Sequence, residues 1–147
     1  MPGDTGETFC TDGTQGNQCL VPTNYNGIIS AAQYDATYGW LLLNTKEKRI
    51  LKMKAPGNSN FMGTLVVPDR TPTSFAFRRN SDGSEEVFFC SSGKLYRRGL
   101  NDTSDTELPW PVPSVACTGR SLLLHDNKLI FPYTENSLTG IAQYLLE

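Results

Sequence analysis

Histidine is nearly absent from this chain of 147 residues: His125 is the single one. A mechanism that needs a general base near neutral pH therefore has one imidazole to call on. The segment His125-Asp-Asn-Lys128 lies between two short apolar runs and reads as a hairpin turn. No G-x-S-x-G elbow, P-loop or H-E-x-x-H motif occurs, which removes the sequence grounds for serine-hydrolase, nucleotide and zinc-protease chemistry. Charge of one sign is also lacking. Thirteen Lys and Arg face fifteen Asp and Glu, for a net charge of −2, so nothing suggests a nucleic-acid partner or an anionic membrane surface. The apolar runs are of strand length, far short of the ~20 residues that span a bilayer, and no membrane span is expected.

Four cysteines are present, without the C-x-x-C spacing of zinc or thioredoxin-like sites, and no metal or cofactor is expected on them. Cys10 and Cys19 flank a Gly-rich polar loop that burial could hardly order, which makes a disulfide closing it physically attractive. Cys90 ends one apolar strand and Cys117 precedes another. They read as two small buried hydrophobes or as a second bridge. Asn101-Asp102-Thr103 is a glycosylation sequon in a polar loop. The N-terminus lacks the basic start and apolar stretch of a secretory signal, as a mature form would. Together these features point to an extracellular or secreted protein.

What the chain does contain is a recurring order of short β-type runs, separated every 8 to 12 residues by Gly, Pro, Asn and Asp. No long stretch shows helical periodicity, and the expectation is an all-β fold. A Pro-bearing run, Gln18 to Pro22, leads to Ile28 to Tyr34, then Tyr38 to Asn44, a Lys-Glu-Lys turn, and Arg49 to Lys54. The order repeats with Gly63 to Pro68, Thr73 to Arg78, Glu86 to Cys90 and Lys94 to Arg98. It repeats again with Glu107 to Trp110, Arg120 to His125, Lys128 to Tyr133 and Gly140 to Leu146. Ser30, Ser74 and Ser121, which serve as alignment markers, are 44 and 47 residues apart. A period in this range is that of a four-stranded propeller blade, although a β-sandwich or barrel also has many short strands. The predicted organisation is a polar segment 1–17 followed by a three-blade domain 18–147, with repeats at about 18–62, 63–106 and 107–147.

The stretch Glu86-Val-Phe-Phe-Cys-Ser-Ser-Gly-Lys-Leu-Tyr-Arg-Arg-Gly-Leu100 resembles the hairpin of six-bladed propellers of the YWTD and NHL type. There, an aromatic strand passes a small Gly-containing turn and returns through a basic, aliphatic, aromatic, basic pattern. Trp40 to Met53 is similar in layout. Phe88-Phe-Cys-Ser91 and Leu42-Leu-Asn-Thr45 stand where the YWTD tetrapeptide would be. The resemblance covers much of Ile28 to Leu146 and implies a propeller of which three blades are present.

Three blades leave a ring open, so the sequence implies either the remainder of a longer propeller or a homodimer that completes six blades about a two-fold axis. The last copy ends with its third strand, and Gln18 to Pro22 could supply the missing fourth strand to the partner's third blade. Ligands of propellers bind on loops at a channel mouth. In the corresponding loops, Tyr25, Asn26, Asp69 and Arg70 are the candidate ligand-binding residues, although Asn and Asp there also suit turns. Trp110 joins them as one of several aromatics, with Tyr25, Tyr38 and Trp40, placed near loop ends, where a flat ring beside amide or carboxylate groups suits a sugar. Core packing between blades is the competing role for each ring. The expected function is non-catalytic recognition of a protein segment or glycan. The alternative is a lactonase-, hydrolase- or isomerase-like enzyme with a polar, calcium-bearing channel, for which Asn26, Asp69 and Asp126 could supply oxygens.

Overall fold

The computed structural model describes residues 25–53, 61–110, 112, 114–118 and 121–146. The expected Cys10–Cys19 bridge, the 1–17 segment and the Gln18 to Pro22 run lie outside them. The described residues form twelve strands and no helix, arranged as three antiparallel sheets. None of their elements is a helix long and apolar enough to cross a membrane.

Sheet 1 holds β1 (Ala31–Asp35), β2 (Gly39–Asn44), β3 (Arg49–Met53) and β4 (Phe61–Val66) in sequential order. Sheet 2 repeats that order with β5 (Ser74–Arg79), β6 (Glu85–Ser91), β7 (Lys94–Gly99) and β8 (Thr106–Glu107). The run leading to Pro68 thus pairs backwards, as the last strand of sheet 1. Sheet 3 differs. Both β9 (Ala116–Cys117) and β10 (Leu123–His125) pair with β11 (Lys128–Glu135), whose opposite edge β12 (Leu138–Leu145) occupies along its whole length. The first strand of sheet 3 is therefore broken into two pieces on one edge of β11.

Register sharpens the repeat. Relative to the closing pair of each central hairpin, Ala31 opposite Leu43, Ser74 opposite Cys90 and Ala116 opposite Thr134 are equivalent, 43 and 42 residues apart. The serines used as markers do not share one register position. Ser30 lies just ahead of β1, and Ser121 falls in the break between β9 and β10.

The two-residue hairpin turns carry positive φ at both positions: Ser92 (50°) and Gly93 (80°), Asp126 (47°) and Asn127 (63°), Asn136 (48°) and Ser137 (70°). Such mirror-image turns match the right-handed twist of the flanking strands, and Gly, Asn and Asp adopt them at least cost. This includes His125-Asp-Asn-Lys128, which is the β10–β11 turn.

Side chains alternate across each strand, so every sheet has two faces. Leu41, Leu43, Ile50 and Val66 from the front of sheet 1 bury against Phe75, Phe77, Val87, Phe89 and Tyr96 from the back of sheet 2. The front of sheet 2, with Ala76, Phe88, Cys90 and Leu95, buries against Leu129, Phe131, Ala142 and Leu146 from the back of sheet 3. By register, Leu41, Leu43 and Ile50 are equivalent to Phe88, Cys90 and Leu95, so the two interfaces use the same faces in the same sense. The first strands follow one another, β1 beside β5 and β5 beside β10. Gln33 links the first pair through both ends of its amide: Nε2 donates to the Phe77 carbonyl (3.2 Å) and Oε1 accepts from the Phe77 N–H (2.9 Å).

Candidate functional site

The five predicted ligand residues are distributed over three places. Tyr25 packs on the back of sheet 1, against Leu42, Leu51 and Met53. Its hydroxyl donates to Glu47 (2.9 Å) and accepts from the Asn44 amide, and the Arg49 guanidinium lies 6.0 Å from its ring centre. Asn26 is exposed beside it.

Asp69 and Arg70 sit in the connection from sheet 1 to sheet 2, and both are engaged by sheet 2. The Asp105 carboxylate accepts from the N–H groups of Asp69 (2.8 Å) and Arg70 (2.9 Å), while the Asp69 carboxylate accepts from the Asp105 N–H (3.1 Å). Arg98 lies between the two acids, 3.2 Å from Asp69 and 3.1 Å from Asp105. The Asp105 N–H, with the Arg98 charge in support, holds the Asp69 carboxyl below the usual aspartate range. Arg70 covers the face of Tyr96 at 4.7 Å from the ring centre. The geometry is that of a reciprocal clasp fastening a connection to the outer strands of sheet 2.

Trp110 is on the other side of sheet 2, packed edge-on to Phe131 (5.7 Å, 71°) and tilted on Tyr144 (5.6 Å, 34°). It walls a cavity of about 300 Å³ at the seam between sheets 2 and 3. Leu95, Leu108, Val115, Cys117 and Phe131 are among its apolar lining, and Lys94 and Glu107, 3.8 Å apart, contribute the charged groups. The sequence did single out Trp110, yet the cavity itself had no signal in it, because its walls come from β7, β8, β9, β11 and the connection between sheets 2 and 3.

A disulfide joins Cys90 on β6 to Cys117 on β9, with Cα atoms 6.3 Å apart. It ties sheet 2 to the first strand of sheet 3 beside the cavity. Of the two roles open to these cysteines, the bridge is the one they play.

The remaining carboxylates with strong surroundings are consumed by ion pairs. Glu86, 3% exposed, meets Arg78 and Arg97 at 2.7 Å each and Asn80 at 2.9 Å; the Arg97 contact is an ion pair without hydrogen-bond alignment. Burial pushes the Glu86 carboxyl up, but the Asn80 and Arg78 hydrogen bonds and the two cations outweigh it, and the net direction is down. Asp35 behaves alike: desolvation raises it, and Arg79 with the N–H groups of Tyr38 and Thr37 brings it below the usual value. Glu85 accepts from the Tyr38 hydroxyl (2.6 Å), and that bond raises the phenol.

Of the residues considered for calcium, Asp69 belongs to the clasp, and Asp126 is largely exposed on the β10–β11 turn, 3.2 Å from His125. Among the described residues, no three His, Cys, Asp or Glu side chains converge as a metal site. No protein-family model, curated protein or solved structure matches this chain.

Proposed function

We propose that the three sheets are blades of a β-propeller and that the protein is a non-catalytic recognition module, binding a protein segment at the connection between blades. Supporting the architecture is the repeated front-to-back packing, with successive first strands side by side as strands lining a channel would be. One observation carries the function: the seam cavity beside Trp110, about 300 Å³, lined by apolar side chains and polar groups in similar measure and within reach of one cation and one anion. That volume sits at the lower end of ligand-pocket sizes and suits one or two apolar side chains of a peptide. A glycan is the weaker candidate here. Sugar recognition needs an open ring face among several amide and carboxylate groups, whereas Trp110 leans on Phe131 and Tyr144.

Catalysis has little to draw on, because Asp35, Asp69, Glu85 and Glu86 are all occupied by arginines or by Tyr38. Trp40 and Trp110 are the two tryptophans, so a Trp40→Phe protein reports on the cavity through Trp110 alone. Titrating it with a library of peptides rich in proline and aromatic residues should change Trp110 emission saturably, and Trp110→Ala should abolish binding measured by anisotropy. No saturable response up to about 1 mM peptide, together with retention on a glycan array, would overturn this assignment.

A further inference from the structure

Among the described residues no sheet covers the front of sheet 3, where large apolar side chains stand among polar ones. Alternation along β10, β11 and β12 places Leu123, Ile130, Pro132, Ile141 and Leu145, together with polar residues such as Thr139 and Gln143, on the face opposite the one packed on sheet 2. Leu123 is 58% exposed, Ile141 75% and Leu145 68%. Their counterparts elsewhere in the chain are closed. On sheet 1 the front residues Leu41, Leu43 and Ile50 are 0% exposed, and on sheet 2 Phe88 is 0% and Leu95 5%. In both cases the cover is the back of the following sheet, presenting aromatic side chains: Phe75, Phe77, Phe89 and Tyr96, then Phe131 with Tyr133.

Among the described residues one back has no sheet on it, that of sheet 1. Its outer half is closed over Leu51 and Met53. Its inner half presents exposed Ala32, Tyr34 at 40% exposure and half-buried Trp40, the two rings edge to face at 5.3 Å. The described residues thus display one front and one aromatic back without a sheet on them, and continuing the existing interface joins one to the other.

We infer that the front of sheet 3, around Ile141 and Leu145, docks on the back of sheet 1, around Tyr34 and Trp40, of a second copy of this chain. Two such contacts related by a two-fold axis leave no front and no back open, and six sheets close a ring. This rests on the blade reading above, but not on the seam cavity.

The test is solution mass by light scattering at about 50 µM, a concentration at which a standard-size interface is populated. The unaltered chain should run at twice its 16.2 kDa. Ile141→Arg, with Leu145→Glu as the second front variant, should run as a monomer. So should Tyr34→Arg, with Ala32→Arg as the second back variant. All four positions are exposed, and circular dichroism checks that each variant folds. Mixing a front variant with a back variant should restore a pair, because one intact front then meets one intact back. A monomeric unaltered chain would overturn the inference, as would a mixture that stays monomeric. So would dimers that lose association on Ile141→Arg but keep it on Tyr34→Arg, since the fronts would then be pairing with each other. Peptide titration of Trp110 in the monomeric variants separates a failure here from a failure of the recognition reading.

Discussion

Replacing Cys90 and Cys117 together by alanine should cost the protein about 3.5 kcal/mol. The bridge closes a loop of 27 residues between β6 and β9, and the entropy of closing such a loop in the unfolded chain corresponds to that figure at 25 °C. Both positions are buried, at 2% and 8% exposure, so alanine avoids placing a polar group in the seam, where serine would leave an unpaired hydroxyl. Lost packing of two sulfur atoms adds to the entropy, and residual structure in the unfolded chain subtracts from it. The assay is urea unfolding of the double variant beside the parent chain, both carrying Trp40→Phe, followed by far-ultraviolet circular dichroism and by Trp110 emission. Near the melting temperature the same loss corresponds to about 10 °C. Substitution is preferable to a reducing agent, which would also act on any bridge between Cys10 and Cys19. Because Cys117 also donates its N–H to the Gly93 carbonyl (3.0 Å), β9 keeps one anchor and the seam should loosen locally before the sheets separate. Trp110 emission should then report an earlier transition than circular dichroism. A stability difference below about 0.5 kcal/mol would refute the reasoning, because it would mean that β9 is held by its other contacts alone.

Three further outcomes follow from the same interior. Glu86→Gln should destabilise the protein at pH 7 by about 2 kcal/mol, since it strips the buried carboxylate from partly buried Arg78 and from exposed Arg97; urea midpoints check it. Because the folded-state pKa of Glu86 is depressed, its contribution is present above the unfolded value and lost as pH falls through the folded one. The gap between Glu86→Gln and the parent should therefore be full at pH 6 and above and shrink from about pH 4 downward; a gap that widens in acid would sink the assignment. Gly93 has φ of 80°, and an added Cβ would lie 3.2 Å from the Cβ of Ala116, so Gly93→Val should lower thermal stability by several degrees; an unchanged melting temperature is the contrary result. The Ser74 hydroxyl is buried without a hydrogen-bond partner, so Ser74→Ala should raise stability by about 1 kcal/mol, and a loss in chemical denaturation would show that the hydroxyl has a partner after all.

The all-β character and the strand order were legible because each signal is local. The turn residues Ser92-Gly93, Asp126-Asn127 and Asn136-Ser137 announce their hairpins, and apolar runs such as Val87 to Cys90 are short and β-branched or aromatic. Register was legible only in part. A marker serine cannot reveal that the first strand of sheet 3 breaks after Cys117 and resumes at Leu123, because the break is defined by pairing with β11. The site was least legible. Asp69 and Arg70 look like ligand residues in a loop, and what distinguishes them is Asp105, 36 residues away. Tyr25 looked like an exposed ring near a loop end and instead covers Leu42 and Leu51. The partners of the two cysteines were equally invisible, since 27 residues and an inter-sheet contact separate them.

Burial along the strands carries a last consequence for the third sheet. A strand covered on both faces needs continuous apolar character, and one covered on a single face needs alternation with polar residues. Strand β6 is buried from Glu86 to Ser91 without interruption, as expected for the central strand of a sheet lying between two others. Strand β12 lies in the second environment, its exposed positions alternating with covered ones, and its open side mixes polar and apolar residues. Its covered side holds Ala142 and Tyr144, and its open side carries Thr139 and Gln143, as a one-faced strand would, together with exposed Ile141 and Leu145. At about 25 cal/mol per Å² of apolar area, two such side chains left in water forgo a few kcal/mol that a covering sheet would recover. Among the described residues β12 is covered on one face, and on its other face Ile141 and Leu145 are the side chains that a second cover would bury.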